Sequence, residues 1–338
     1  MSDKSPDSGA AAAEAWSRYW ASGPLHSCPN AFAGNYDDEI RDFWMSFFGS
    51  LPDDASILDI GTGNGAVAFL ARDAADALKR RFHIEGIDAA VIHPAAAAAR
   101  HGIEAGDIVF RGNTSCERTG YPDGHFDAAS SQYAIEYSQI DDSLKELARV
   151  LKPGGVAGFV IHHAGSEALV TTLAELKAFD YLRREAPLVV ASRRLLRRLS
   201  GAGSAAELEA RMNDRDTQEQ QKEIRKLLQR VSAYGRSRPH AGFLEGIATQ
   251  VAATLQQTRA IGTGAALDRL AVLEGEMTAH RERLRAMVQA GKSRDDIGEF
   301  CALAVAAGFA VDAPHELRRG GRDLLGWVVG ARRLSNEP

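Results

Sequence analysis

The sequence predicts an α/β protein built on a mostly parallel sheet that is covered by helices on both faces, with a large helical insertion. Between residues 56 and 162, short apolar or β-branched runs alternate with helical stretches, a pattern typical of βαβ units. A glycine-rich turn follows the first of these runs. Strand-like segments return after residue 308, beyond a long block of helical spacing. Because those last strands need a sheet to pair with, the helical block is predicted to be an insertion rather than an appended domain.

Four parts follow from this pattern. Residues 1–15 are expected to be a disordered tail, and the aromatic residues 16–51 an N-terminal helical segment. Residues 52–164 and 294–334 make up the α/β domain, and residues 165–293 the insertion. The insertion contains an apolar stripe that fits two different roles. The stripe either packs into the core of a lid or forms a dimerisation surface. The stripe consists of Leu267, Leu270, Leu273 and Met277.

Composition restricts the partners. A hydrophobic fraction of 45% is enough for a full core, and a net charge of −5 argues against binding nucleic acid through a basic field. The three cysteines have no metal-ligand spacing, so no metal site is predicted and a reducing compartment fits. The N-terminus does not resemble a signal peptide, and no apolar run reaches the length of a membrane span. We therefore expect a cytoplasmic protein without membrane or nucleic-acid partners.

The glycine loop at residues 58–65, LDIGTGNG, indicates a nucleotide-like cofactor. Gly61, Gly63 and Gly65 allow a sharp turn between a strand and a helix, but the third glycine comes one position too early for the dinucleotide pattern. Asp59 precedes the loop, where its carboxylate would repel a pyrophosphate. A cationic cofactor has the opposite preference, and S-adenosyl-L-methionine carries both a sulfonium and an ammonium group.

Asp88 follows the second predicted strand, 23 residues after Gly65. An acid at this place accepts hydrogen bonds from ribose hydroxyls in nucleotide-binding sheets. The alternative is a residue that only ends the strand in a turn.

The chain resembles the class I S-adenosylmethionine-dependent methyltransferases in four motifs, which occur in the family's order. They are LDIGTGNG, the acid in EGIDAA, YPDGHFDAASSQYAIEY and LARVLKPGG. The resemblance covers residues 55–163 and 295–333. It implies a Rossmann-like, doubly wound sheet of seven strands whose last strand is antiparallel. It also implies S-adenosyl-L-homocysteine as the product of the cofactor.

The resemblance also implies cofactor contacts. It places the three loop glycines against the methionine part, Asp88 on the ribose and the residues after the third strand beside the adenine. At that last place Asn113 stands where the family often has Asp, and an Asx turn without any ligand is the alternative. The full predicted cofactor set is Asp59, Gly61, Thr62, Gly63, Gly65, Asp88, Ala89, Asn113, Thr114 and Ser131.

The acceptor is expected at the carboxyl ends of the fourth and fifth strands, where open parallel sheets bind ligands. Glu136 and His162 are the candidate catalytic bases, against the alternatives of a helix cap or ion pair for the glutamate and a structural histidine. Tyr133, Tyr137 and His163 are predicted to line the substrate pocket.

These features predict a methyltransferase acting on a small or medium-sized organic acceptor, with O- or C-methylation preferred. Two alternatives stay open: a protein or peptide methyltransferase, and a non-catalytic module that binds S-adenosylmethionine. A homodimer formed through the insertion is a further expectation.

Overall fold

The computed structural model describes residues 6–27 and 34–335 and divides the chain into two compact units. The α/β unit comprises Met1–Val170 and Ala286–Pro338, and the helical unit comprises Thr171–Arg285.

The strands are β1 (Ala55–Ile60), β2 (Phe82–Ile87), β3 (Val109–Arg111), β4 (Phe126–Gln132), β5 (Leu151–His162), β6 (Phe309–Val311), β7 (His315–Arg319) and β8 (Asp323–Arg333). The helices are α1 (Pro6–Ala21), α2 (Asp38–Gly49), α3 (Ala66–Leu78), α4 (Pro94–Arg100), α5 (Ile140–Val150), α6 (Glu167–Arg184), α7 (Leu188–Leu199), α8 (Ala205–Asn213), α9 (Arg215–Ser237), α10 (Phe243–Ala290) and α11 (Arg294–Ala306). A short 3-10 helix spans Ile135–Tyr137.

The strands form one sheet in the order β3-β2-β1-β4-β5-β8-β6. Strands β1 to β5 pair in parallel, and β8 is antiparallel to β5 and β6. The predicted fold class is therefore confirmed, with seven strands on the main path and an antiparallel closing strand. One strand was not predicted: β7 pairs with β8 on the same edge as β6. The backbone N–H of Asp312 still donates to the carbonyl of Gly330 on β8 at 2.9 Å. Pairing along this edge is interrupted at residues 313–314, where Pro314 has no backbone N–H to donate.

Both faces of the sheet are covered, which is why β1 and β4 are buried along almost their whole length. On one face, Trp44 and Phe48 of α2 pack with Phe69 of α3. On the other face, Phe159 of β5 packs with Phe300 of α11. The carboxyl ends of β1, β2, β4 and β5 are consequently held at one edge of a rigid layer.

Two local expectations differ from the structure. Helix α1 begins at Pro6, inside the segment predicted to be a disordered tail up to residue 15; residues 1–5 lie outside the described part. The KPGG motif at residues 152–155, whose proline and glycines are typical of a turn, lies within β5. The pairing of β4 with β5 shifts register there, between Phe126 and Ala128, and Gly154 has a φ of 78°. The motif therefore forms an irregularity inside the strand.

The helical unit has a core of its own. Leu270 and Leu273 belong to the apolar stripe, for which one of the two predicted roles was a dimerisation surface. Both are buried in this core together with Leu196, Leu227 and Val251. Leu267 and Met277 are partly buried against the same cluster. The stripe thus packs inside the unit. Within α10, Gly262 has a non-helical φ of 85° and ψ of 159°, which kinks the helix.

Candidate functional site

The glycine loop connects β1 to α3. Gly61, Gly63 and Gly65 all have positive φ, at 63°, 53° and 95°. The space that a Cβ would take at each is already filled by the protein itself. At Gly61 it is filled by Ala134, at Gly63 by the indole of Trp20 at 2.5 Å, and at Gly65 by the ring of Phe110 at 2.8 Å. The glycines therefore let other parts of the chain approach the loop.

Asp59 stabilises this loop through two side-chain hydrogen bonds. Its carboxylate accepts hydrogen bonds from the hydroxyl of Thr62 at 2.6 Å and from the hydroxyl of Ser130 on β4 at 2.8 Å. Burial raises the pKa of Asp59 to about 6, although both hydroxyl contacts act in the opposite direction. Two predicted cofactor residues, Asp59 and Thr62, are thus brought together, and Asp59 is fully buried.

Asp88 lies at the end of β2 and faces the same loop. One carboxylate oxygen accepts from the backbone N–H of Gly63 and the other from that of Ala90, each at 2.8 Å. Burial raises the pKa of Asp88 to about 6 as well, and the two acids repel each other. Within residues 6–27 and 34–335, neither Asp59 nor Asp88 has a basic side chain within ion-pair distance. The loop is therefore rich in negative charge, which fits a cationic cofactor and opposes a pyrophosphate.

The segment after β3 lies beside Asp88. The backbone N–H of Thr114 donates to the carbonyl of Asp88 at 2.8 Å, and that of Asn113 donates to the carbonyl of Ala90 at 3.1 Å. Asn113 is exposed and has a φ of 53°, a conformation that Asn tolerates in turns. Ala89 is exposed between these two contacts. The predicted adenine side is thus held against the predicted ribose side by the backbone.

A buried aromatic stack marks the ends of β4 and β5. The ring of Tyr133 lies parallel to the imidazole of His162, with 4.3 Å between the ring centroids and 5° between the planes. Tyr137 meets the same imidazole edge-on at 5.9 Å. Tyr133 has a φ of 52°, and its hydroxyl donates to the carbonyl of Leu325 at 3.0 Å. Ser131 fixes the turn, since its hydroxyl accepts from the N–H of Ile135 at 3.1 Å.

Glu136 is buried beside this stack, with 2% of its surface exposed. Its Oε1 accepts from the backbone N–H of His162 at 2.8 Å, and its Oε2 has no hydrogen-bond partner in the described chain. Burial raises the pKa of Glu136 to about 7. A carboxylate whose pKa lies near neutral pH, and one of whose oxygens accepts no hydrogen bond from the described residues, is suited to take up a proton.

His162 is 1% exposed, and neither ring nitrogen has a hydrogen-bond partner among the described residues. Burial lowers the pKa of His162 to about 3, so its imidazole is neutral over the physiological range. A neutral imidazole offers one donor and one acceptor to a bound molecule.

His163 lies apart from the other residues that are predicted to line the substrate pocket. Adjacent residues of a strand point to opposite faces, so His163 points away from the stack around His162. Its ring stacks on Trp327 at 4.6 Å, and its Nδ1 accepts from the N–H of Gly165 at 2.9 Å. The structure brings together Tyr133, Glu136, Tyr137 and His162 and leaves out His163.

Sequence reasoning missed the contribution of α1. The indole of Trp20 covers Gly63, and Trp16 meets Tyr137 edge-on with 5.7 Å between the ring centroids. The side-chain amide of Asn64 donates to the carbonyls of Trp20 and Pro24, at 3.0 and 2.7 Å. The high aromatic content of residues 16–20 indicated a packed helix, but it did not indicate which residues that helix contacts.

The described residues include neither a metal-binding cluster nor a membrane-spanning helix. No group of three or more His, Cys, Asp and Glu side chains there could hold a metal ion. No helix in the same ranges combines the length and the apolar character that a membrane crossing requires.

Comparison with known proteins identifies a domain. Residues 57–155 match the family model for a methyltransferase domain. This segment includes the glycine loop, Asp88 and Glu136. A comparison with curated proteins gives no match.

Solved structures give more distant similarities. A geranyl diphosphate methyltransferase in complex with GPP and sinefungin is 19% identical over 36% of this chain, with a TM-score of 0.30. The match spans 43% of that enzyme, less than half of its length. An S-adenosylmethionine-dependent methyltransferase from Methanosarcina mazei is 16% identical over 89% of this chain and 99% of that one, with a TM-score of 0.39. A methyltransferase from Mesorhizobium loti is 14% identical over 86% of this chain and 95% of that one, with a TM-score of 0.40.

Proposed function

We propose that this chain is a class I S-adenosylmethionine-dependent methyltransferase and that it methylates a small or medium-sized organic acceptor. Its residues 57–155, which match the family model for a methyltransferase domain, support this proposal. Oxygen and acidic carbon are the preferred acceptor atoms. The observation that carries this preference is the buried carboxylate of Glu136, whose Oε2 accepts no hydrogen bond from the described residues.

The charge of the glycine loop supports the cofactor. Asp59 and Asp88 lie at the ends of β1 and β2, and no cation is paired with either in the described chain. When bound, S-adenosyl-L-methionine supplies an activated methyl group on a cationic sulfonium. Asp88 would accept hydrogen bonds from the ribose hydroxyls, while the backbone of Gly61, Gly63 and Gly65 would lie along the methionine part.

The chain's own residues then handle the proton of the acceptor. Glu136 Oε2 would take the proton from the acceptor's O–H or C–H as the acceptor atom bonds to the methyl carbon and the methyl–sulfur bond breaks, with the electron pair of that bond passing to sulfur. Glu136 would end the step protonated. His162 is neutral and holds the acceptor through a hydrogen bond. Its ring is fixed by the parallel ring of Tyr133. Alignment and exclusion of water supply the remaining rate enhancement.

The helical unit is proposed as a lid on the acceptor side. Both of its chain connections reach the site region: β5 ends at His162 before α6 begins, and after α10 the N–H of Lys292 donates to the carbonyl of His162 at 2.8 Å. An insertion attached at this edge is suited to cover an acceptor.

The function is tested by incubating the protein with radiolabelled methyl donor and fractionated cell extract. We expect label in a small organic molecule. Label in a polypeptide would support the protein methyltransferase instead, and binding of S-adenosylhomocysteine without any labelled product would support the non-catalytic module.

A Glu136→Gln variant identifies the base. We expect it to lose methyl transfer and to bind S-adenosylhomocysteine with unchanged affinity. Glu299→Gln, an exposed position on α11, is the matched control and should keep full activity.

A further inference from the structure

Helix α1 touches the loops after three neighbouring strands of the sheet. Trp20 lies on Gly63, after β1. The hydroxyl of Ser17 accepts from the backbone N–H of Val91, after β2, at 2.9 Å. Trp16 lies against Tyr137, after β4. Because β2, β1 and β4 are adjacent in the sheet, one turn of α1 spans the carboxyl edge at the point where the strand order reverses.

The contact is built from large rings. Trp16 and Trp20 stack on each other at 5.7 Å, and Tyr19 packs edge-on against Trp20 at 5.0 Å. Trp20 is only 7% exposed although it lies on a helix near the surface. The side of Gly63 that a Cβ would occupy is taken up by its indole, so a glycine is required there for α1 to approach.

Polar contacts hold the C-terminal end of α1 in place. The buried amide of Asn64 donates to the carbonyls of Trp20 and Pro24. Arg100, from the end of α4, donates to the carbonyl of Ser22 at 2.6 Å. The helix is followed by Gly23, which has a φ of 94° and allows the chain to reverse. All of these contacts are hydrogen bonds or ring packing, so α1 is able to leave without breaking the sheet.

We propose that α1 is the closing element of the cofactor site, docking over the glycine loop behind bound cofactor and releasing it when Trp20 leaves Gly63. The proposal rests on the cofactor assignment made above. Trp20 and Asn64 are positioning residues, and Trp16 joins the docked helix to Tyr137 on the acceptor side. The acceptor pocket is therefore complete only when α1 is docked.

The experiment measures the dissociation rate constant of S-adenosyl-L-homocysteine from the full chain, by displacement with excess unlabelled compound. We expect Trp20→Ala to raise this constant at least tenfold. Arg100→Met loosens the same end of α1 from the surface without disturbing the core and should raise it about threefold, a smaller effect because only one hydrogen bond is removed. Arg18→Ala, which removes a solvent-exposed pair with Glu14 on the same helix, is the matched control and should leave the constant unchanged.

Hydrogen exchange provides a second readout that does not depend on any variant. We expect amide exchange in residues 16–22 to slow when the wild-type protein is saturated with S-adenosylhomocysteine. Unchanged dissociation rate constants in both Trp20→Ala and Arg100→Met, or unchanged exchange, would overturn the proposal. A faster association with unchanged dissociation in Trp20→Ala would also overturn it, since α1 would then obstruct the site. Failure of the wild type to bind S-adenosylhomocysteine would instead reject the cofactor assignment.

Discussion

At the residue scale, the chemistry of the candidate site depends on one carboxyl group. Glu136 acts as a base only when ionised, and its pKa is raised to about 7. We expect kcat to rise with pH between 6 and 8 and then to level off. His162 is neutral over that range because its pKa is about 3, so it adds no second step. A pH–rate profile measured at saturating cofactor checks this.

The Glu136→Gln variant should lack the rise with pH and be slower by about 10²–10⁴-fold, the usual effect of removing a general base. His162→Ala is the informative comparison. If it is the slower variant, and the profile of Glu136→Gln still rises with pH, the base has been assigned to the wrong residue.

Asp88 is the residue on which cofactor affinity should depend most. Asp88→Asn keeps the size of the side chain, but only one of its two terminal atoms is an acceptor, so a contact to Gly63 or Ala90 is lost along with charge-assisted bonds to the ribose. We expect binding of S-adenosylhomocysteine to weaken by about 1–3 kcal/mol in calorimetry. Equal affinity in Asp88→Asn and wild type would exclude the ribose role, whereas Glu136→Gln serves as the variant that should bind normally.

The residues nearest to strand ends could be predicted from the sequence, and their contacts could not. Asp59, Asp88 and Glu136 each stand out because an acid follows or ends an apolar run. Local patterns carry no information about Trp20 and Asn64, whose contact joins positions 44 residues apart. The assignments of Asp88 and Glu136 to cofactor and acceptor remain predictions.

At the element scale, the apolar strands of the sheet could be predicted and the polar one could not. β1, β4 and β8 have long runs of buried residues, which are typical of a central strand. β7, with the sequence HELRR, is charged and only half-buried, and it exists because β8 offers it an edge. The strand β5 begins before KPGG for a related reason: pairing with β4 resumes beyond the irregularity.

Deleting the helical unit should separate cofactor binding from methyl transfer. Replacing residues 171–285 with a short flexible linker should preserve S-adenosylhomocysteine binding, because the glycine loop, Asp88 and α1 all belong to the α/β unit. Methyl transfer should be lost if the unit is a lid. Calorimetry and the labelled-donor assay are the two measurements, and full turnover by the shortened protein would reject the lid.

A matched point variant accompanies the deletion. Leu270→Ala removes a fully buried side chain from the core of the helical unit, so we expect it to lower the stability of that unit by about 2–5 kcal/mol. Its S-adenosylhomocysteine affinity should equal that of the wild type. Dissociation of a dimer in ultracentrifugation without any loss of stability would instead indicate that the stripe forms an interface between subunits.

At the scale of the whole molecule, the buried acids link folding to pH. The pKa of Glu136 rises from an ordinary value of 4.5 to about 7 on folding. Below pH 4.5 the group is protonated in both states and has no effect. Between pH 4.5 and 7 the folded state binds the proton more tightly, so stability falls as pH rises, and above pH 7 the loss is complete.

We therefore expect wild type and Glu136→Gln to have similar free energies of unfolding at pH 4.5, and the variant to be more stable at pH 8 by on the order of 3 kcal/mol. Denaturant unfolding at the two pH values measures this. A constant difference between the proteins would mean that Glu136 titrates normally in the folded state. Asp59 and Asp88 act in the same direction between pH 4 and 6 in both proteins and cancel in the comparison.

The position of β8 has a consequence for how the protein is made in the cell. β8 is the last strand in the chain, yet it lies between β5 and β6 inside the sheet. During synthesis, β5 leaves the ribosome before its partner β8 has been made. About 160 further residues must be translated before β8 begins, at roughly 5–20 residues per second. For about 8–32 seconds at those rates, the nascent chain displays an apolar strand with one unpaired edge, which is the kind of surface that chaperones bind. The helical unit, which has its own core, emerges during this interval.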